Sequence, residues 1–411
     1  MDRKRIVITG IGVVSPIGIG KDRYWESLKD GKPGFRSITL FDTSDLEVKT
    51  AGEITEFNPK DILGKKGLVD LDRATTLLLS ATKFALEDSQ IDISNINLPK
   101  TGISVGTTFG SLNSLSAFDQ QSLDEGPNFV NASRFPNTVI NSPASRVAIR
   151  YCVKGPNSTL STGFCASIDA LEYAVFCINS GRVKRMILGA VEEMCIQTFL
   201  GFYKLGYLSG LNNGEPISCP FDKRRDGIIF SEGSAVFILE ELDSALARKA
   251  HIYAEILSAG SNFDPFRLDK FNPKGTGIID AMESALENAN LKPKEIDCIF
   301  ANANSTKDAD LVETKAIKEA FGDLAGRIPV TAIKSMIGES FSVSGGMALA
   351  AALASLEKDF IPSTVNLREE DKECDLDYVP NNAKNQKVNK IMIDSFGPNG
   401  ANSVLIIGRY H

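Results

Sequence analysis

Gly155–Ala170 reads GPNSTLSTGFCASIDA. It opens as a short β-branched strand, tightens into small residues at Ser161–Gly163, and continues as a helix. Ile168, Leu171, Val175 and Ile178 give that helix an apolar face at three- and four-residue spacing. A strand that turns sharply into a helix exposes one side chain at the bend, beside N–H groups that have no partner within the helix. A thiol placed there is activated, because the helix terminus favours the thiolate. Phe164 and Cys165 are adjacent at this point, and which of them stands at the bend decides the chemistry.

Outward from that junction, strand-like and helix-like segments alternate. Arg5–Thr9, Gly102–Gly106, Arg185–Val191 and the second half of Cys219–Leu242 read as strands of the first half. Asp22–Asp30, Leu71–Asp88, Ser111–Leu123 and Asn141–Tyr151 read as helices, and Gly201–Gly214 as a loop rich in Gly and Tyr. The alternation restarts at Ile252–Leu257. Strands at Ile296–Asn302, Ile328–Ile333, Lys390–Asp394 and Ser403–Gly408 are interleaved with helices at Ile278–Asn290, Asp310–Phe321 and Ser342–Leu356. This is an α/β pattern. Residues 1–250 and 251–411 repeat one plan, and Val330–Ser342 forms a second strand-turn-helix junction. No Pro- or Ser-rich linker divides them, so the expectation is two related lobes sharing one core.

Composition excludes several classes. The 411 residues are 43% hydrophobic and 24% charged, an ordinary globular balance. A net charge of −7 argues against a nucleic-acid partner. No stretch approaches the ~20 apolar residues of a membrane span, and the N-terminal apolar run is broken by Gly10 and Gly12, as in a strand and unlike a signal peptide. Seven cysteines without metal-type spacing suit a reducing cytoplasm. No cofactor or metal site is indicated, since Gly10-Ile11-Gly12 lacks the rest of a dinucleotide fingerprint.

Four longer runs carry a resemblance: RIVITGIGVVSPIG at Arg5–Gly18, CPFDKRRDGIIFSEGSAVFILEE at Cys219–Glu241, IKSMIGES at Ile333–Ser340 and DSFGPNGAN at Asp394–Asn402. The chain resembles β-ketoacyl-ACP synthases of the type II elongating kind over its whole length. The resemblance implies a thiolase fold, with two βαβαβαββ halves in a five-layered α-β-α-β-α arrangement, usually dimeric. It also implies an acyl chain carried on a Cys, and two His that decarboxylate malonyl-ACP for condensation.

Carried over position by position, that chemistry is missing. Counting from Gly155 and back from Gly181 both put the nucleophile position at Phe164. Cys165 falls one place later, turned by about 100°. The family's Asn-Ala-His-Gly-Thr reads Asn302-Ala303-Asn304-Ser305-Thr306, so Asn304 replaces the first His. Glu339 replaces the second at the end of Lys334–Glu339, while Lys334, Asp310 and Glu313 are retained. Pro398 replaces the gate Phe that lends an N–H to the oxyanion hole, and proline has no N–H. Phe offers no nucleophile, Asn no titratable proton, and a carboxylate at 339 opposes both a thiolate and a malonyl carboxylate. Lys334 and Glu339 are expected to form a charge pair.

A ketosynthase-like chain without its site resembles a chain-length factor, the ketosynthase β subunit of type II polyketide and aryl-polyene systems. Known members often carry Gln where this chain has Phe164. The resemblance implies a heterodimer with a catalytic ketosynthase, acyl carrier protein (ACP) as second partner, and an acyl chain borne on phosphopantetheine and held mainly by the catalytic subunit. Leu112, Leu115 and Phe118 match the segment that reaches the dimer interface and acyl tunnel, although a helical apolar stripe also suits plain core. Lys65, Lys66 and Lys204 are candidate contacts for the acidic ACP. The competing readings are a divergent condensing enzyme or acyltransferase using Cys165, and a scaffold that binds acyl chains or ACP without elongating them.

Overall fold

The computed structural model describes residues 4–91, 100–211, 214–268 and 270–410. Apart from five two-residue strands at its margins, its strands are β1 (Ile6–Ser15), β2 (Thr101–Gly106), β3 (Asn157–Leu160), β4 (Arg185–Glu192), β5 (Gly233–Glu241), β6 (Ala254–Phe263), β7 (Cys298–Phe300), β8 (Val330–Thr331), β9 (Lys390–Phe396) and β10 (Ala401–Gly408). The helices that matter are α1 (Lys21–Lys29), α2 (Arg73–Asp88), α3 (Leu112–Glu125), α4 (Ser142–Arg150), α5 (Ala166–Asn179), α6 (Ile196–Lys204), α7 (Thr276–Ala289), α8 (Lys307–Phe321) and α9 (Ser344–Lys358).

The strands form one mixed sheet in the order β8-β7-β9-β10-β6-β1-β5-β4-β2-β3. Each half follows the same route. In the first, β1-α2-β2-α4-β3-α5-β4-β5 gives the spatial order third, second, fourth, fifth, first strand. In the second, β6-α7-β7-α8-β8-α9-β9-β10 repeats it. The first strands of the two halves pair antiparallel through Ile6↔Ile256 and Ile8↔Ala254, which makes the two sheets continuous. This is the doubled βαβαβαββ plan of the thiolase fold.

The layers follow from which faces are apolar. Helices α5 and α9 lie between the two sheets in the largest core cluster. Every residue of α9 from Ser344 to Leu356 is buried. Met347, Leu349, Leu353 and Leu356 each contribute about 1.5–3 kcal/mol of burial there. Helices α2 and α4 cover the outer face of the first sheet, α7 and α8 that of the second. The repeat extends to atomic detail. A Cβ on Gly12 of β1 would lie 1.9 Å from the Ala81 carbonyl oxygen of α2, and one on Gly260 of β6 would lie 2.6 Å from that of Ala281 on α7. Only glycine allows either strand to approach its outer helix so closely.

Several boundaries differ from the sequence reading, among them β1, which continues past Thr9 to Ser15. Ile196–Lys204 is a helix where a Gly- and Tyr-rich loop was expected to begin at Gly201, with Thr198 and Phe199 buried. Strand β6 runs six residues past Leu257, because its second half pairs with β10 from Ala401↔Phe263 onward. Strand β8 spans only Val330–Thr331, since the chain turns at once into Lys334–Ile337.

Candidate functional site

Strand β3 runs parallel to β2 and stops at Leu160. Gly163 takes φ +73, a single 3-10 turn spans Gly163–Cys165, and α5 begins at Ala166. The side chain at the bend is Phe164. Its ring stands edge-on to Phe341 at 5.4 Å between centroids. Phe341 in turn stacks on Phe202 at 4.6 Å and touches Phe109 and Phe230. On its other side the Phe164 ring abuts Gly397, where an added Cβ would come within 2.6 Å of Cδ2. The Phe164 carbonyl accepts a hydrogen bond of 2.8 Å from the Ser395 hydroxyl. An aromatic plug thus occupies the bend and the space behind it.

Cys165 points elsewhere. It is fully buried, and its thiol donates to the Ser395 carbonyl at 3.1 Å. Burial, reinforced by nearby Asp169, pushes the thiol far above its ordinary range. A buried neutral thiol engaged in this way is no nucleophile at physiological pH.

Beside the plug lies a buried polar network. The Lys334 ammonium donates to Glu339 Oε2 and to Asn302 Oδ1, each at 2.8 Å. Glu339 also accepts from Asn304 Nδ2 at 3.1 Å, from the Phe341 N–H at 2.8 Å and from the Ser344 hydroxyl at 2.8 Å. Four donors use up the roughly four acceptor positions of a carboxylate, so Glu339 has no free lone pair with which to take a substrate proton. Asn304 is equally committed: its Oδ1 accepts from the Thr306 N–H and hydroxyl. The Glu339–Phe341 bond holds Phe341 at φ +51, a left-handed conformation that costs a non-glycine residue roughly 1–2 kcal/mol. The ion pair and the aromatic plug are one construction.

The Asp310 carboxylate receives the Phe221 and Asn304 N–H groups at 2.9 Å each, and burial still lifts its pKa to about 6. Behind it, Glu313 of α8 accepts the Asn302 N–H at 2.7 Å. Its other oxygen meets Asp394 of β9. Burial raises both carboxyls, Asp394 to about 8, and the Asp394 charge pushes Glu313 up further, so the pair holds a shared proton at neutral pH. Across the plug, Glu192 accepts the Thr108 and Phe109 N–H groups and the Ser342 hydroxyl, with burial lifting its pKa to about 7. Sequence reasoning singled out neither Asp394 nor Glu192. The available signal was a carboxylate inside an otherwise apolar strand, at KIMIDSF for β9 and RMILGAVE for β4.

The Beta-ketoacyl synthase N-terminal domain matches residues 3–245, and the C-terminal domain of the same family matches residues 253–368. The chain is 33% identical over 411 residues to 3-oxoacyl-[acyl-carrier-protein] synthase 2 of Coxiella burnetii, covering 100% of this chain and 99% of that protein. The chain belongs to the β-ketoacyl synthase family.

Within that family it is also 34% identical to the tetracenomycin polyketide synthase ketoacyl synthase alpha subunit of Streptomyces glaucescens, covering 99% of this chain and 97% of that one. Among solved structures, the ishigamide ketosynthase/chain length factor superposes with a TM-score of 0.93 at 32% identity, over 100% of both chains. AntDE:AntF, a type II polyketide synthase acyl-carrier protein in complex with its ketosynthase, gives 0.91 at 27% identity, again over 100% of both chains.

Of the positions that the sequence resemblance singled out, Asn304 and Lys334 both bond Glu339, and Phe164 joins this group through Phe341. Pro398 sits in the adjoining Gly397–Gly400 turn, closed by the Gly400 N–H to the Gly397 carbonyl at 3.1 Å. Leu112, Leu115 and Phe118 do not converge with them. They lie on α3, which has no fully buried residue, and the Phe118 ring meets that of Phe135 at 6.1 Å. Leu112 and Phe118 are half-buried and Leu115 is exposed, so the stripe lies outside the buried core clusters. A cavity of about 340 Å³ opens beside Thr306, between Leu205, Tyr207, Lys270, Phe271 and Lys307. Among the described residues no helix is long and apolar enough to cross a membrane, and no group of acidic, His and Cys side chains forms a metal site.

Proposed function

We propose that this chain is a non-catalytic ketosynthase homologue, a chain-length-factor-type subunit that pairs with a catalytic β-ketoacyl-ACP synthase. The observation that carries this reading is Phe164 at the bend, backed by a buried Glu339 whose acceptor positions are all taken. Neither offers a nucleophile or a free base. The heterodimer elongates an ACP-bound polyketide, polyene or fatty acyl chain in the cytoplasm. The partner supplies the Cys and both His, and holds the phosphopantetheine-borne chain, so this subunit needs no cofactor of its own. Phe164 fills the volume that an acyl-cysteine would take.

Two surface features support a partner chain. Helix α3 leaves Leu115 and Leu123 exposed, next to exposed Phe129 and Phe135. Contiguous apolar surface of this kind marks a protein interface. Strand β3 ends the sheet, with no strand on its outer edge among the described residues, and such an edge invites pairing with another chain. Leu112, Leu115 and Phe118 then line the shared acyl tunnel.

The test combines the purified chain with malonyl-ACP and acyl-ACP, alone and co-expressed with a catalytic type II ketosynthase. Alone it forms no 3-oxoacyl-ACP, and intact-mass analysis finds no acyl adduct. Co-expression yields a stable heterodimer whose product length changes when Phe118 is altered. Condensation by the chain alone, or an adduct mapped to Cys165, overturns the reading in favour of a divergent acyltransferase.

A further inference from the structure

Away from the degenerate site, a cavity of about 200 Å³ lies between the β1 end, the N-terminal part of α1 and the segment around Thr55. Three cationic side chains, Arg23, Lys32 and Arg36, line it against one carboxylate, Glu56. Their pairing is incomplete. Arg23 meets Glu56 at 3.4 Å across an exposed contact, and Lys32 bonds Asp30 at 2.6 Å on the surface. Arg36 is half-buried and makes no ion pair among the described residues. Its two partners are neutral: the Thr55 hydroxyl at 2.7 Å and the Pro16 carbonyl at 3.0 Å.

A guanidinium has five N–H donors, so three on Arg36 remain after these two bonds. Thr55 accepts from Arg36 and keeps its own hydroxyl proton to donate. A half-buried cation with neutral partners, in a concave site whose lining is three-to-one positive, suits an oxyanion that takes several N–H and O–H donors at once. We propose that this cavity is a binding site for a phosphate-class dianion, inorganic phosphate or a small phosphate monoester, held by Arg36 with Arg23, Lys32 and Thr55.

The strap of residues 32–36 on one side of the cavity is also tied to the turn that carries the buried ion pair. Gly34, two residues before Arg36, donates its N–H to the Met336 carbonyl at 2.9 Å, between Lys334 and Glu339 in the chain. Occupancy therefore fixes the strap that packs against that turn, and this site does not depend on whether the chain condenses anything.

The experiment titrates the full chain with sodium phosphate in a chloride buffer of constant ionic strength, read by calorimetry and by phosphorus-31 NMR line width. Saturable one-to-one binding with a Kd of about 1 mM or tighter is expected, with an upward shift in melting temperature. Arg36→Met lowers the affinity at least tenfold, Arg23→Gln and Lys32→Gln severalfold each. The melting curve of each variant without phosphate reports that it is folded. Glycerol 3-phosphate binding as well as phosphate marks a monoester site, and binding tenfold weaker marks inorganic phosphate as the ligand. No saturation by roughly 20 mM, an equal response to acetate, or unchanged affinity in folded Arg36→Met overturns the proposal.

Discussion

Replacing Asp394 by Asn should make the protein more stable at alkaline pH, and the size of the gain follows from the carboxyl pair it forms with Glu313. Asp394 ionises near 8 when folded and near 3.8 when exposed. The native state therefore binds a proton that the unfolded chain gives up, so stability falls as pH rises between those values. At 1.36 kcal/mol per unit, protonation of a group of pKa about 8 contributes roughly 2–3 kcal/mol less at pH 8.5 than at pH 6. The amide cannot ionise, and its N–H donates to the Glu313 oxygen that otherwise needs the shared proton. Asp310, Glu192 and Glu193 also titrate high, at about 6, 7 and 7, and give both proteins a residual slope of the same sign. The assay is urea unfolding at pH 6 and pH 8.5, followed by circular dichroism and by the fluorescence of Trp25, the single tryptophan, which is buried. Equal pH slopes in the two proteins, or a variant less stable at pH 8.5, would refute the shared-proton account.

Removing one partner of the buried ion pair, by Lys334→Met or by Glu339→Gln, should cost about 3–5 kcal/mol in the same unfolding assay, since a buried charge is left uncompensated. Phe164→Cys should leave condensation undetectable by 3-oxoacyl-ACP formation, because Asn304 and Glu339 still provide no free base. Phe164→Ala should lower stability by up to about 3–5 kcal/mol through the cavity left beside Phe341. Leu115→Arg should abolish co-purification with a catalytic ketosynthase while shifting the chain's own melting point little, as its side chain faces solvent on α3. Of the seven cysteines, Cys152 alone should react quickly with a thiol reagent in the folded protein, the six others being buried.

The doubled topology was legible because it rests on local periodicity: apolar strands and amphipathic helices recur in the same order in both halves. Phe164 was legible for a different reason, since a counted interval from Gly155 fixes its place. The charge pair of Lys334 and Glu339 was legible as two opposite charges within one short motif, Lys334–Glu339. What escaped reading depends on contacts distant in sequence. Phe341 joins Phe164 through a left-handed backbone that Glu339 enforces, and nothing in the local string FSVSGG announces it. Asp394 reads as one polar residue in a strand until α8 brings Glu313 against it. Ile196–Lys204 hid its helix because Gly201 and the following tyrosines suggest a loop, whereas burial of Phe199 holds the turn in place.

The interlock between Glu339, Phe341 and Phe164 also bears on the history open to this chain. A His at position 339 would strand the Lys334 ammonium without its carboxylate and release the backbone N–H that keeps Phe341 in its conformation. A Cys at 164 would leave that same Phe341 facing a void. Each of these single replacements breaks the interlock and lowers stability. On the proposed function the arrangement therefore acts as a ratchet, which commits a lineage that acquires it to a partner polypeptide for the reaction.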